Sequence, residues 1–313
     1  MKTKTILGGA LALSMATIGG AALAEYPEKP VSFVVPWPPG DLEDVLTRMI
    51  AEDFQKAYGV SAAVVNKPGG GGGPFPGAIE VATAPADGYT VGSFVPAVPV
   101  IGHEIGIDEL ADEVFEPIGI FLTYPFVIAT SGDAPYSSMG ELAEYAKSND
   151  VALGHFGQVL TPTQVTMAYA INAGFEWGSD AAFDALDCNT LASGDADVIN
   201  TTLQLILPCL DKVKVLTAIT GDRIPLVPDA PTIGELDSSL DIALWNGLFV
   251  HKDTPADVRE KIAAVAEKTV MSDRAQAIAK ETGAQVYWAD AEASAAIIAQ
   301  DKATGAVISG ILE

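Results

Sequence analysis

The stretch that most limits what this chain can fold into is residues 31–48, VSFVVPWPPGDLEDVLTR. A short run rich in β-branched and aromatic residues stops at Pro36-Trp37-Pro38-Pro39-Gly40. From Asp41 onward, apolar residues fall at Leu42, Val45, Leu46, Met49, Ile50 and Phe54, the spacing of one helix face. The order is therefore strand, rigid loop, helix N-terminus. In α/β folds ligands gather at such junctions, because free helix N–H groups point into a crevice beyond the strand end.

The pattern repeats downstream. Gly59 ends the first helix, residues 60–65 form a second strand, 78–84 a short helix and 89–95 a third strand. Strands are expected at 126–130, 151–154, 197–199, 213–219, 247–250 and 285–288, and helices after Ser137 or Ser138, at 182–193, after Thr254-Pro255 and at 291–311. Thr161-Pro162-Thr163-Gln164 reads as a capping box, making residues 151–174 a second strand–loop–helix junction. Strands alternating with helices argue for an α/β fold with mainly parallel sheets. Breaks near Tyr124-Pro125 and Trp245-Asn246 read as two crossings between domains. The expected division is a discontinuous first lobe, 25–124 and 247–313, with a second lobe, 125–246, inserted between. Ligand would sit between them.

The N-terminus carries Lys2 and Lys4, an apolar run at 6–22, and Ala22-Leu23-Ala24, the pattern of a secretory signal peptide cleaved after Ala24. The alternative is a membrane anchor, but the run is short and glycine-broken against the ~20 residues a span needs. Cleavage takes two of 17 basic residues and none of the 41 acidic ones, moving the formal charge from −24 to −26. Such a surface repels nucleic acid and anionic lipid. In an oxidising compartment Cys188 and Cys209 can pair, but sequence alone does not set their distance.

Several motifs together carry a resemblance. Tyr26-Pro27-x-Lys29-Pro30 precedes the proline-rich loop, Asn66-Lys67-Pro68-Gly69 opens a glycine run, and Ala86-Asp87-Gly88-Tyr89-Thr90 forms a turn. Residues 191–197 read Leu-Ala-Ser-Gly-Asp-Ala-Asp; Pro228-Asp229-Ala230-Pro231-Thr232 and Trp245-x-Gly247-Leu248-Phe249 follow. In this order and spacing the chain resembles the periplasmic solute-binding proteins of tripartite tricarboxylate transporters, the Bug-type receptors. The resemblance implies a two-lobed, type II Venus-flytrap fold that closes on a small solute, usually a carboxylate, and passes it to membrane permease subunits. The expected receptor is a monomer without cofactor or metal. The resemblance also implies that the ligand is held by the loop at 37–44 and a second-lobe loop at 155–163.

The chain departs from the family pattern at one place. Where relatives read Pro-Pro-Gly-Gly-x-Thr/Ser-Asp, this chain reads Pro38-Pro39-Gly40-Asp41-Leu42-Glu43-Asp44. Like charges ~4 Å apart repel by ~4 kcal/mol at an effective dielectric of 20, enough to offset a helix N-terminus that would receive an anion. Asp41 and Glu43 either face the cleft, favouring a cationic, zwitterionic or neutral polar ligand, or merely cap the helix. Trp37 is either a packed hydrophobe or an aromatic wall. Beside Trp37, Pro38, Gly40, Asp41, Leu42 and Glu43, the candidate ligand residues are Gly72 and Phe75 around the glycine run, and Ser93 at the third strand's end. On the second lobe they are His155, Phe156, Gly157 and Thr161, with Asp197, Asn200 and Thr201. Asp197 is equally suited to bracing its own lobe.

Other functions fit poorly. No Gly-Lys-Ser/Thr follows the glycine run, so it is no phosphate loop. No Gly-x-Ser-x-Gly elbow or His-Glu-x-x-His helix supports a secreted hydrolase. His103 and His251 have no partner at metal-ligand spacing. An ordinary carboxylate receptor, or one feeding a sensor kinase, remains open.

Overall fold

The structure, a computed structural model, describes residues 25–69, 73–103, 105–111 and 113–313. The expected signal peptide and Gly72 lie outside the described residues. Eleven strands form two sheets. β1 (Val31–Val35), β2 (Ala62–Asn66), β3 (Thr90–Phe94), β4 (Phe115–Thr123), β10 (Trp245–His251) and β11 (Gln285–Ala289) make the first, in the order β11-β4-β10-β3-β1-β2. β5 (Phe126–Ser131), β6 (Ala152–His155), β7 (Ser179–Ala182), β8 (Val198–Thr202) and β9 (Val213–Ala218) make the second, in the order β7-β6-β8-β5-β9. The helices are α1 (Leu42–Tyr58), α2 (Phe75–Ala82), α3 (Met139–Ala146), α4 (Thr161–Ala173), α5 (Cys188–Ser193), α6 (Leu203–Ile206), α7 (Ile233–Leu236), α8 (Ala256–Val270), α9 (Asp273–Thr282) and α10 (Ala291–Leu312).

The two-lobed α/β architecture is as expected, but the sheets are mixed rather than mainly parallel. β1 pairs parallel with β2 and β3, whereas β10 runs antiparallel to β3 and β4. In the second sheet β6 is parallel to β7 and β8, and β5 is antiparallel to β8 and β9. The reason is connectivity. The chain leaves the first sheet along β4, passes Tyr124-Pro125 and enters the second as β5; it returns along β10, next to β4 and in the opposite sense. The crossings lie side by side, with the Tyr124 N–H donating to the Leu244 carbonyl at 2.7 Å.

β1 is almost wholly buried, as a run of β-branched residues between two neighbours requires. α1 buries Leu42, Leu46, Met49, Ile50 and Phe54 over it, and Phe54 meets Tyr26 and Phe33 edge to face. Gly59 closes α1 in the left-handed region, φ 71°. Residues 182–193, expected to be helical, contain β7's last residue, a loop, and only the short α5, which starts at an Asp187 cap. Cys188 and Cys209 form a disulfide that ties α5 to the turn after α6. The Thr161 capping box is absent: Leu160 is the cap residue and makes no side-chain bond, so Thr161 is the first residue inside α4.

α10 is long and apolar enough, by length and composition, to cross a membrane. Here its Ser294, Asp301, Thr304 and Ile308 are buried against the fold, and it touches both β4 and α4. Its Asp301 accepts a 2.6 Å bond from the Trp245 indole at the second crossing. Burial pushes the Asp301 carboxyl up to about 6 against the opposing pull of that bond. Trp245→Phe leaves this carboxyl without its donor. The expected loss in urea unfolding is about 1–3 kcal/mol at pH 7. The loss should shrink at pH 5, where Asp301 is protonated in the folded state and its ionisation no longer opposes folding; a loss equal at both pH values would contradict the account.

Candidate functional site

The proline-rich loop is held by the buried Asp44. Its carboxylate takes the Gly40 N–H at 2.9 Å, both Nε and a terminal nitrogen of Arg48 at 2.9 Å, and the Asn66 amide at 2.8 Å. Asn66, the last residue of β2, also donates to the Trp37 carbonyl at 3.0 Å and accepts from Arg48 at 2.7 Å. Gly40 has φ +104°, where a side chain would be strained. Burial pushes Asp44 up, but the bonds from Arg48, Asn66 and Gly40 outweigh it and hold its carboxyl below the usual range.

Asp44 is thus fully engaged with Gly40, Arg48 and Asn66, whereas Asp41 and Glu43 take no part in this cluster. Asp41 sits at the cap position of α1 with extended backbone but makes no side-chain cap bond. Glu43 is only 3% exposed, and the Tyr124 hydroxyl donates to its Oε2 at 3.0 Å. Burial, then the neighbouring Asp41, pushes the Glu43 carboxyl up to about 8. Burial and then Asp44 raise Asp41 as well. Glu43 is therefore uncharged at neutral pH, because an ionised carboxylate here would pay for lost hydration without a cation beside it.

Both acids line a cavity of about 240 Å³ between the lobes. Trp37, Pro38, Asp41 and Glu43 form one side, with Val95, Pro96 and Ala97 after β3. Phe156, Leu160, Thr161 and Pro162, at the α4 N-terminus, form the facing side, with Phe126 on β5. Asp184 and Ala185 after β7, Thr202 at the end of β8, and Gln204 and Leu205 on α6 complete it; Tyr124 and Leu244 stand at the crossings. Among the described residues the lining holds three carboxyl side chains and no lysine, arginine or histidine. The Trp37 indole N–H is buried without a partner.

Six expected residues thus meet at one cavity: Trp37, Pro38, Asp41, Glu43, Phe156 and Thr161. The others are elsewhere. Leu42 and Phe75 are buried in the apolar cores. Gly40 and Gly157 shape the two loops without lining the cavity. Ser93 is fully buried in a chain with Thr47 at 2.9 Å and Asn246 at 2.7 Å. His155 is buried and pairs with Asp180 at 2.9 Å, which Gln158 also bonds. Asp197 accepts the Ala152 N–H at 2.8 Å within its own lobe. Asn200 donates to the Pro162 carbonyl at 2.9 Å and to Thr166, and Thr201 donates to the Leu186 carbonyl at 2.6 Å. These polar strand-end groups make their hydrogen bonds within the fold, although the His155 Nδ1 and Asn200 Oδ1 atoms are buried without a partner. Tyr124 and Asp184 were not foreseen as lining: the first reads as a hinge, the second as part of a helix.

The family model for the tripartite tricarboxylate transporter family receptor matches residues 46–311. The chain belongs to this family. The UPF0065 protein of the tcbD-tcbE intergenic region in Pseudomonas sp. (strain P51) is 26% identical over 306 residues, covering 90% of this chain and 86% of that one. The periplasmic binding protein BugD superposes with a TM-score of 0.75 at 26% identity, covering 91% and 97%. An R. palustris protein, Rpa4515, solved with adipate, has the same fold, with a TM-score of 0.79 at 22% identity, covering 92% and 98%. The chain is thus a Bug-type solute receptor of the periplasmic class.

Glu43 gives the receptor a pH signature. Its folded-state value lies above the ordinary 4.5, so the native receptor keeps a proton that the unfolded chain releases. Stability must then fall as pH rises from about 4.5 towards 8. The melting temperature of the empty receptor should drop over that window, and Glu43→Gln should flatten the drop. An unchanged slope in the variant would contradict this.

Proposed function

We propose that the receptor works in the periplasm, captures a small organic metabolite between lobe 1 (25–124 and 247–313) and the inserted lobe 2 (125–246), and delivers it to a tripartite tricarboxylate-type permease. The strand order supports this division, since each sheet draws its strands from one side of the crossings. The ligand bridges the proline-rich loop and the α4 N-terminus, and closure about Tyr124 and Trp245 expels water. Its chemistry differs from a simple dicarboxylate: it is cationic, zwitterionic or neutral and polar. The observation that carries this is the lining, with Asp41, Glu43 and Asp184 and no basic side chain among the described residues.

A second reading, an ordinary carboxylate receptor, draws on the family, on the R. palustris neighbour solved with adipate, and on one local feature. A protonated Glu43 can donate a hydrogen bond to a carboxylate oxygen at neutral pH. A thermal-shift screen against carboxylates, amines, amino acids and sugars separates the two. A ligand at a hundredfold its Kd adds about 2.7 kcal/mol of stability, a readable shift. The first reading expects citrate and adipate not to be the strongest; if either is, the second reading stands. Glu43→Thr, which restores the hydroxyl of the relatives, should move preference towards carboxylates. An unchanged profile would reduce Glu43 to a purely structural residue.

A further inference from the structure

The cavity has two chemically distinct parts. One is apolar and aromatic: Trp37, Phe126, Phe156, Leu160, Leu205 and Leu244. The other is acidic and contains Asp41 and Glu43 at the start of α1, with the Tyr124 hydroxyl bonded to Glu43. Asp184, from the loop after β7, adds a third carboxyl from the opposite lobe. No basic side chain among the described lining residues balances these acids, and Arg48, the nearest guanidinium along α1, is spent on Asp44 and Asn66. A carboxylate ligand placed against α1 would meet acids on both sides. A sugar would leave the apolar walls facing its hydroxyls. An ammonium group meets the acids, and an apolar body meets the walls, with aromatic faces available to the cation.

We propose that the ligand is an organic ammonium compound with an apolar body, its cationic head between Asp41 and Glu43 and its body against Trp37, Phe126 and Phe156. This rests on the reading above that the inter-lobe cavity is the ligand site. Binding is then an exchange of cations. The empty site holds a proton on Glu43; the arriving ammonium takes its place, the carboxyl O–H bond breaks, the electron pair stays on the carboxylate oxygen, and the proton passes to solvent. The titratable neighbours pull both ways. Asp41, and more weakly the Arg48-paired Asp44, raise the Glu43 carboxyl and hold its proton in the empty site, whereas the Tyr124 hydroxyl donates to it and favours the carboxylate. An ammonium group between Asp41 and Glu43 offsets the Asp41 charge and so permits the release. Asp184 adds negative charge on the facing wall.

Isothermal titration calorimetry of the intact receptor tests this with matched probes. Benzylamine, phenethylamine and benzyltrimethylammonium are set against benzoate, phenylacetate and adipate, with glucose as a neutral polyol. Ammonium probes should bind at least about tenfold more tightly than their carboxylate counterparts at pH 7. Their affinity should rise about tenfold per pH unit from pH 6 towards 8 and then level, the linkage of one released proton. Titrations in buffers of different ionisation heat should show about one proton released per ligand. Glu43→Gln should remove the proton release and flatten the pH dependence, and Asp41→Asn should weaken binding while keeping the release. Tighter binding of the carboxylates or of glucose overturns the inference and leaves the receptor reading intact. Ammonium binding without proton release overturns the exchange at Glu43. Failure of every ammonium probe overturns the inference, and failure of all compounds in the thermal-shift screen alongside them overturns the receptor reading as well.

Discussion

The carboxyl of Glu43, buried in the first turn of α1 and held by the Tyr124 hydroxyl, is the contact on which the rest of the site depends. Isolated ionised carboxylates are very costly to bury, so the group keeps its proton instead. Its position follows from Asp44, one residue further on. Arg48, Asn66 and the Gly40 N–H hold Asp44, which does not line the cavity, and the helical turn places Glu43 on the cavity wall. A single bond thereby joins the ligand loop to the crossing between β4 and β5. Under the proposed function, ligand chemistry and lobe closure would share this one atom pair, so a change in Glu43's charge would also act at the crossing.

Under the proposed function, affinity and selectivity come from different parts of the chain. Backbone would supply the general frame, a proline-rich loop before α1 and an α4 N-terminus without a side-chain cap. Side chains would supply what is particular: acids at positions 41 and 43, where the family pattern has a glycine and a hydroxyl residue, change the sign of what the first loop offers. The overall charge of −24 has no bearing on this, because surface carboxylates are screened and the cavity's are not.

Much of the fold was legible because local pattern and tertiary role agree. The apolar run at Val31–Val35 is a central strand, and the spacing from Leu42 to Phe54 is the buried face of α1. Where they disagree, the pattern misleads. Pro117 and Gly119 interrupt the apolar alternation of β4, yet a nine-residue strand forms because β10 and β11 flank it, with register shifts that absorb the irregularity. The alanines near residues 181–192 suggest one helix, but β7 runs to Ala182 and α5 starts only at Cys188, so the residues between them are loop and Asp184 lies on the cavity. Tyr124 was recognisable as a hinge and not as a site residue, because its partner is 81 positions away. Ser93, Asn200 and Thr201 sit at strand ends, as ligand residues often do, but the Ser93 and Thr201 hydroxyls and the Asn200 amide N–H groups bond within the interior.

The most direct test is a carbon-13 NMR titration of the Glu43 side-chain carboxyl in the empty receptor, assigned by comparison with Glu43→Gln. The account predicts a midpoint near 8, far above the 4.5 of an ordinary glutamate. A midpoint between 4 and 5 would mean that Glu43 is hydrated and charged when the receptor is empty, and the account of the site would be wrong.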